Sequence, residues 1–172
     1  MASQQETSLE NLLLNSYKSE LIAYIESHPE DFAELVELAV SDKQPYSWRA
    51  AWLLWSCMAN NDKRLHKHIK KIIEILAYRN DNQQRELLMI LQRMDISTAF
   101  EGRLFDLCIN IWTNINKNPS LRFNAFKIMC AISKKYPELT NELKIMTDEC
   151  YTGNLSENVK KSIYKILTIG KR

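Results

Sequence analysis

WRAAWLLWSCM, residues 48–58, holds three of the chain's four tryptophans and one arginine. QRELLMILQRM (84–94), LRFNAFKIMCA (121–131) and VKKSIYKILTI (159–169) repeat its arrangement: a basic residue early, then apolar residues spaced by three and four. Aligning Arg49, Arg85, Arg122 and Lys160 gives steps of 36, 37 and 38 residues, and Cys57 and Cys130 both fall eight residues after their arginine. An Asp or Asn precedes each basic residue, at Asp42, Asp81, Asn118 and Asn154. A period near 37 built from helix pairs predicts an all-α superhelix.

Outward from these segments the helical period continues. It predicts nine helices, at 8–27, 29–41, 46–60, 63–79, 82–95, 98–116, 119–135, 138–150 and 156–169. Pro29, Pro45 and Pro119 stand near helix starts, where a missing N–H costs least. Asn118-Pro119 reads as an N-cap followed by a first-turn proline. In 63–79 the apolar stripe is Leu65, Ile69, Ile72, Ile73 and Leu76, with Lys67, Lys70, Lys71 and Glu74 away from it, as in an amphipathic outer helix. Residues 48–58 are apolar nearly all round, so that helix should be covered on more than one side.

The 172 residues suit one domain with its own core, and the expected division is a disordered N-terminus at 1–7 and a single domain at 8–172. Only three glycines occur, too few for hairpin-rich β architecture or for glycine-built phosphate loops. Cys57, Cys108, Cys130 and Cys150 form no close pair and read as small buried hydrophobes in a reducing compartment. With no basic, apolar leader and no long apolar run, the chain is expected to be cytoplasmic. The net charge of +2 conceals an asymmetry: residues 1–62 carry 3 Lys/Arg against 10 Asp/Glu, and 63–172 carry 20 against 11.

The repeated Asp/Asn before an early Arg on a second helix resembles the HEAT-repeat, armadillo-type α-solenoid family. The resemblance spans 29–169 as four helix pairs (29–60, 63–95, 98–135 and 138–169), with 8–27 as an N-terminal cap. Two copies depart from the pattern: three extra residues separate Asp42 from Arg49, and Lys160 replaces Arg. SDKQPYSWRAAWLLWSCM (41–58) and KKYPELTNELKIMTDECY (134–151) are also similar to a group of small bacterial helical proteins. Some of those carry a transferred adenylosuccinate-lyase label. That enzyme is a much longer chain whose catalytic serine sits in a Ser-Ser-x-Met-Pro-x-Lys-x-Asn loop, a segment these residues lack, so the activity does not carry over.

No catalytic constellation is legible, and no cofactor or metal ligand set is expected. His66 and His68 splay about 200° apart on an α-helix, which is wrong for a shared metal. Glu34 with Glu37, and Glu30 with Glu34, read as a solvated face. Asp42, Arg49, Asp81, Arg85, Asn118, Arg122, Asn154 and Lys160 are expected to form a structural ladder, the cations bonding turn carbonyls or carboxylates. Trp48, Trp52 and Trp55 form a stripe about 60° wide. Core packing is its first reading, and an aromatic patch for a partner is its second.

The expectation for function is therefore a non-catalytic scaffold or adaptor that binds a protein partner. Second helices line the concave side of such stacks, which nominates the exposed positions Glu86, Gln92, Arg93, Asn124 and Lys127. The alternative is a nucleic-acid-binding module that uses the basic residues of 63–172, densest at Lys63, Arg64, Lys67, Lys70 and Lys71 and continued by Lys134, Lys135, Lys160, Lys161, Lys165, Lys171 and Arg172. The HEAT-like alkylpurine DNA glycosylases are a specific form of it, but their Trp-Asp-x-x-Asp motif is absent. Head-to-tail self-association through the opposite charges of the two regions is a further expectation, and no membrane partner is expected.

Overall fold

The computed structural model describes residues 6–169, with side chains to 167. Lys171 and Arg172 of the basic set and residues 1–5 of the expected disordered N-terminus lie outside the described residues. Thr7, also assigned to that N-terminus, is instead the N-cap of the first helix: its hydroxyl oxygen accepts from Glu10 N–H at 3.2 Å, and Glu10 returns the bond to Thr7 N–H. All regular elements among the described residues are helical.

The chain divides into two compact units, Met1–Asp95 and Ile96–Arg172. The first contains α1 (Ser8–Asn15), α2 (Lys18–Ser27), α3 (Phe32–Val40), α4 (Tyr46–Cys57), α5 (Ile69–Ile75) and α6 (Asp81–Leu91). Three 3-10 segments join them, at Pro29–Asp31, Lys63–His68 and Leu76–Tyr78. At its centre α4 packs against α1, α2, α3 and α6. The all-round apolar character of 48–58 foreshadows this: Ala50, Ala51, Leu53 and Leu54 are completely buried, and the two alanines let neighbouring backbones approach.

The second unit contains α7 (Thr98–Thr113), α8 (Pro119–Ser133), α9 (Leu139–Ile145), α10 (Glu149–Thr152) and α11 (Glu157–Ile169). Here α8 is the central helix, in contact with α7, α9 and α11. Leu121, Ala125, Phe126 and Met129 fill its core side, and the Trp112 and Phe126 rings meet at 4.6 Å. Asn118 caps α8 as its sequence predicts, accepting from Ser120 N–H at 2.9 Å ahead of Pro119.

The nine expected helices become eleven among the described residues, and local hydrogen bonds explain the breaks. Ser16 and Tyr17 are extended, and Glu20 accepts the Tyr17 N–H at 2.8 Å, so 8–27 carries a second helix start. In 63–79 the chain starts as a 3-10 segment, with Leu65 N–H bonded to Asp62 O at 3.0 Å. The inward stripe survives that change, since Leu65, Ile69, Ile72, Ile73 and Leu76 are all buried. In 138–150 the helix stops at Met146, whose carbonyl accepts the Trp112 indole N–H at 2.9 Å.

Candidate functional site

Among the described residues α10 alone is capped by a glycine, Gly153, and its φ of −56° is right-handed. No glycine among the described residues has a positive φ, and Asn61 (φ 50°) is the one residue that does. Left-handed caps are thus scarce, and the terminal carbonyls of helices need other donors. Side chains from later segments supply them. Arg49 Nε–H donates to Leu13 O at the end of α1. Gln83 Nε2–H donates to Ala39 O and Ser41 O at 2.9 Å each, and Arg79 donates to Val40 O at 3.2 Å. Arg93 reaches Trp55 O at 2.6 Å, and Arg122 Nε–H reaches Trp112 O at 2.8 Å.

This assigns the ladder residue by residue. Arg49 and Arg122 bond helix-end carbonyls, and Arg122 also donates to Asn154 Oδ1 at 2.8 Å while Asn154 donates to Ile115 O at 2.9 Å. Arg85 departs from the expected role: it is 40% exposed and pairs with the adjacent Glu86, because Gln83 and Arg79 already serve the α3 carbonyls. Lys160 pairs with Glu157 at 3.1 Å on the surface of α11. Asp42 is exposed and faces Arg79 at 3.6 Å, not Arg49. Asp81 is the first residue of α6, whose N-cap is Asn80.

The same donors organise the tryptophan row of α4. Trp48, Trp52 and Trp55 are each part-exposed, whereas Trp112 is completely buried, so the core reading of the row holds only in part. Ala50, Ala51, Leu53 and Leu54 take the tight packing of α4, which leaves the three tryptophans partly at the surface. The Lys18 ammonium lies 5.4 Å from the Trp52 ring centre and 5.6 Å from that of Trp55. Arg49 lies 5.5 Å from the Trp48 ring centre. Each such contact contributes about 0.5–1 kcal/mol where exposed, enough to bias the rings toward one orientation. Glu86 accepts the Trp55 indole N–H and the Arg85 Nε–H, the latter at 2.9 Å.

Of three nominated partner residues, Glu86 stands on α6, which packs against α4, while Gln92 caps its C-terminal end and Arg93 follows it; Glu86 and Arg93 bond Trp55. Glu86 is 1% exposed, which corrects its assignment to an open surface: it anchors Trp55 from beneath. Gln92 and Arg93 are part-exposed. In the second unit Asn124 is likewise corrected, being buried with its amide bonded to Ser120 O at 2.9 Å. Lys127 is part-exposed over the Phe123 ring at 4.7 Å, and burial lowers its pKa. Sequence periodicity marks the face of a helix but not the depth at which a neighbour covers it.

Lys18 and Arg49 thus lie over the part-exposed rings, Arg85 bonds the carboxylate that holds the Trp55 indole, and Arg93 bonds the Trp55 carbonyl. Among the described residues no group of three or more His, Cys, Asp and Glu is placed to hold a metal, and no helix is long and apolar enough to cross a membrane. Cys108 and Cys130 are buried as expected, and burial pushes the Cys130 thiol up to about 12. Cys57 is part-exposed and Cys150 exposed, which corrects the expectation of four buried thiols.

Comparison with curated proteins and with solved structures gave no match. The family model of the HEAT repeat domain matches residues 6–169. That span covers both units, including the helices expected to cap the first pair, and agrees with helices that depend on their neighbours to complete their carbonyls. The chain belongs to the HEAT repeat family.

Proposed function

We propose that the chain is a non-catalytic scaffold of the cytoplasm and that it binds a protein partner through the tryptophan face of α4 and α6. The observation that carries this reading is the part-exposed row Trp48, Trp52 and Trp55, held by Lys18, Arg49, Glu86 and Arg93. Tryptophan and arginine are the residues on which binding energy concentrates at interfaces, and rings already held in place lose little freedom on binding. Self-association through opposite charges is less well supported, because acidic residues of 1–62 are engaged within their own unit: Glu10 with Lys43, Glu37 with Lys71 and Asp62 with Arg64.

Affinity capture from the native cells with the full chain, compared with a W52A/W55A double variant, tests the proposal. A protein retained by the wild type and lost by the double variant is the expected result. Equal retention by both overturns it. Tight, salt-dependent binding of DNA or RNA in a low-salt filter assay favours the nucleic-acid alternative instead. Adenylosuccinate breakdown above background by the purified protein overturns the non-catalytic reading.

A further inference from the structure

A groove of about 510 Å³ in the first unit runs between the 29–36 stretch and the 3-10 segment Lys63–His68. Its floor is apolar, with Phe32 and Val36 buried and Pro29 and Ala33 exposed at its surface. None of the α4 tryptophans lines it. The shape of the basic wall follows from the 3-10 geometry. At three residues per turn, Leu65 and His68 fall in one row, Lys63 and His66 in a second, and Arg64 and Lys67 in a third. Leu65 is buried and His68 is half-buried, so the other two rows flank this inward row and both reach solvent.

The charges on this wall differ in availability. Asp62 accepts from Arg64 at 3.0 and 2.7 Å, and the guanidinium lies 3.4 Å from the centre of the Phe32 ring. Arg64 is thereby neutralised and serves as wall. His68 stands 3.7 Å from Glu37, which also takes Lys71 at 3.2 Å. Lys63 and Lys67 are exposed and enter no ion pair among the described residues. His66 is within 2.9 Å of Asn61 Oδ1. Two open ammonium groups thus stand over an apolar floor.

We propose that this groove binds a short acidic peptide segment of a partner protein, with an apolar side chain over Ala33 and Pro29 and flanking carboxylates on Lys63 and Lys67. Charge complementarity selects the carboxylates, and the exposed apolar floor selects the anchor. Glu30 also lines the groove and repels any anion beside it, so the carboxylates are assigned to the Lys63 and Lys67 wall. A nucleic-acid strand fits less well, because Arg64 covers the Phe32 face on which a base would stack and two ammonium groups neutralise too few phosphates. The proposal is independent of the tryptophan face.

The test is an amide-shift titration of the isotopically labelled full chain with a capped hexapeptide, a central Leu-Phe pair flanked by two acidic residues on each side. Saturable shifts at 29–36 and 63–68 are expected at peptide concentrations up to roughly 1 mM. They weaken at least about tenfold in a K63E/K67E variant, persist in K63R/K67R, and persist in W52A. Circular dichroism confirms that the exposed substitutions leave the fold intact. Absence of shifts in both stretches overturns the proposal, as do equal shifts with the Gln/Asn version of the peptide. Stronger binding at the same residues by a thymidine dodecamer also overturns it, in favour of a polyanion site.

Discussion

The Arg122 guanidinium, 0% exposed, donates to the side-chain oxygen of Asn154 at 2.8 Å, joining two segments 32 residues apart. Its other bonds go to the carbonyls of Trp112 and Tyr151, and the Trp112 ring centre lies 4.9 Å away. No carboxylate is among these partners. The buried charge is held by neutral dipoles and a ring, an arrangement that tolerates loss of any acceptor poorly.

Replacing Arg122 by Met removes the charge but orphans two carbonyls and an amide oxygen, and the expected loss is about 2–4 kcal/mol. N154A keeps the cation and removes one acceptor, with an expected loss of about 1–3 kcal/mol. Urea unfolding measures both. A loss below about 0.5 kcal/mol for R122M would contradict the structural role assigned to it.

Arg85 and Glu86 predict a different response. Because Arg85 is 40% exposed, R85A is expected to cost about 1 kcal/mol, well under R122M. E86A leaves the Trp55 indole N–H without its acceptor and is expected to cost about 1–3 kcal/mol. Tryptophan emission should move to longer wavelength in E86A as the Trp55 ring loosens, and remain in place in E86Q, which retains an acceptor.

Asp62 gives a pH-dependent term. Hydrogen bonds from Arg64 hold its carboxyl down to about 2, from an ordinary value of 3.8, against an opposing effect of burial. A depressed folded-state value means that the stabilisation is complete above about 4 and disappears as pH falls through about 2. Since Arg64 is half-exposed, the term is about 1 kcal/mol. Acid unfolding of D62N should lack this component, and its stability relative to wild type should converge below about pH 2. A difference independent of pH would locate the role of Asp62 elsewhere.

The thiols should react in order of exposure. Cys150 is exposed and Cys57 part-exposed, with burial raising the Cys57 pKa. Cys108 and Cys130 are buried, and burial raises both pKa values. A thiol-disulfide reagent at neutral pH should titrate Cys150 rapidly and Cys57 slowly, with the other two appearing on unfolding. Rapid reaction in a C150S variant equal to that of wild type would refute the assignment.

The sequence by itself determined the helical class, the period near 37 and the central place of α4. Each rests on local periodicity: α4 is apolar on nearly every side, and such a surface requires partners wherever the chain goes. The cap at Asn118-Pro119 is equally local. Register also singled out Arg49 and Arg122, which do bond helix-end carbonyls, but Arg85 and Lys160 at the same register position pair with carboxylates instead.

Tertiary structure alone decided which cation completes which carbonyl. In the second copy Gln83 and Arg79 take the α3 carbonyls, which leaves Arg85 at the surface beside Glu86. It also decided that Glu86 is buried beneath Trp55, and that a 3-10 turn opens Lys63 and Lys67 over the floor formed near Phe32. Donor distance, depth of cover and the meeting of segments more than 30 residues apart depend on how neighbouring helices pack, and no pattern of three and four carries that information.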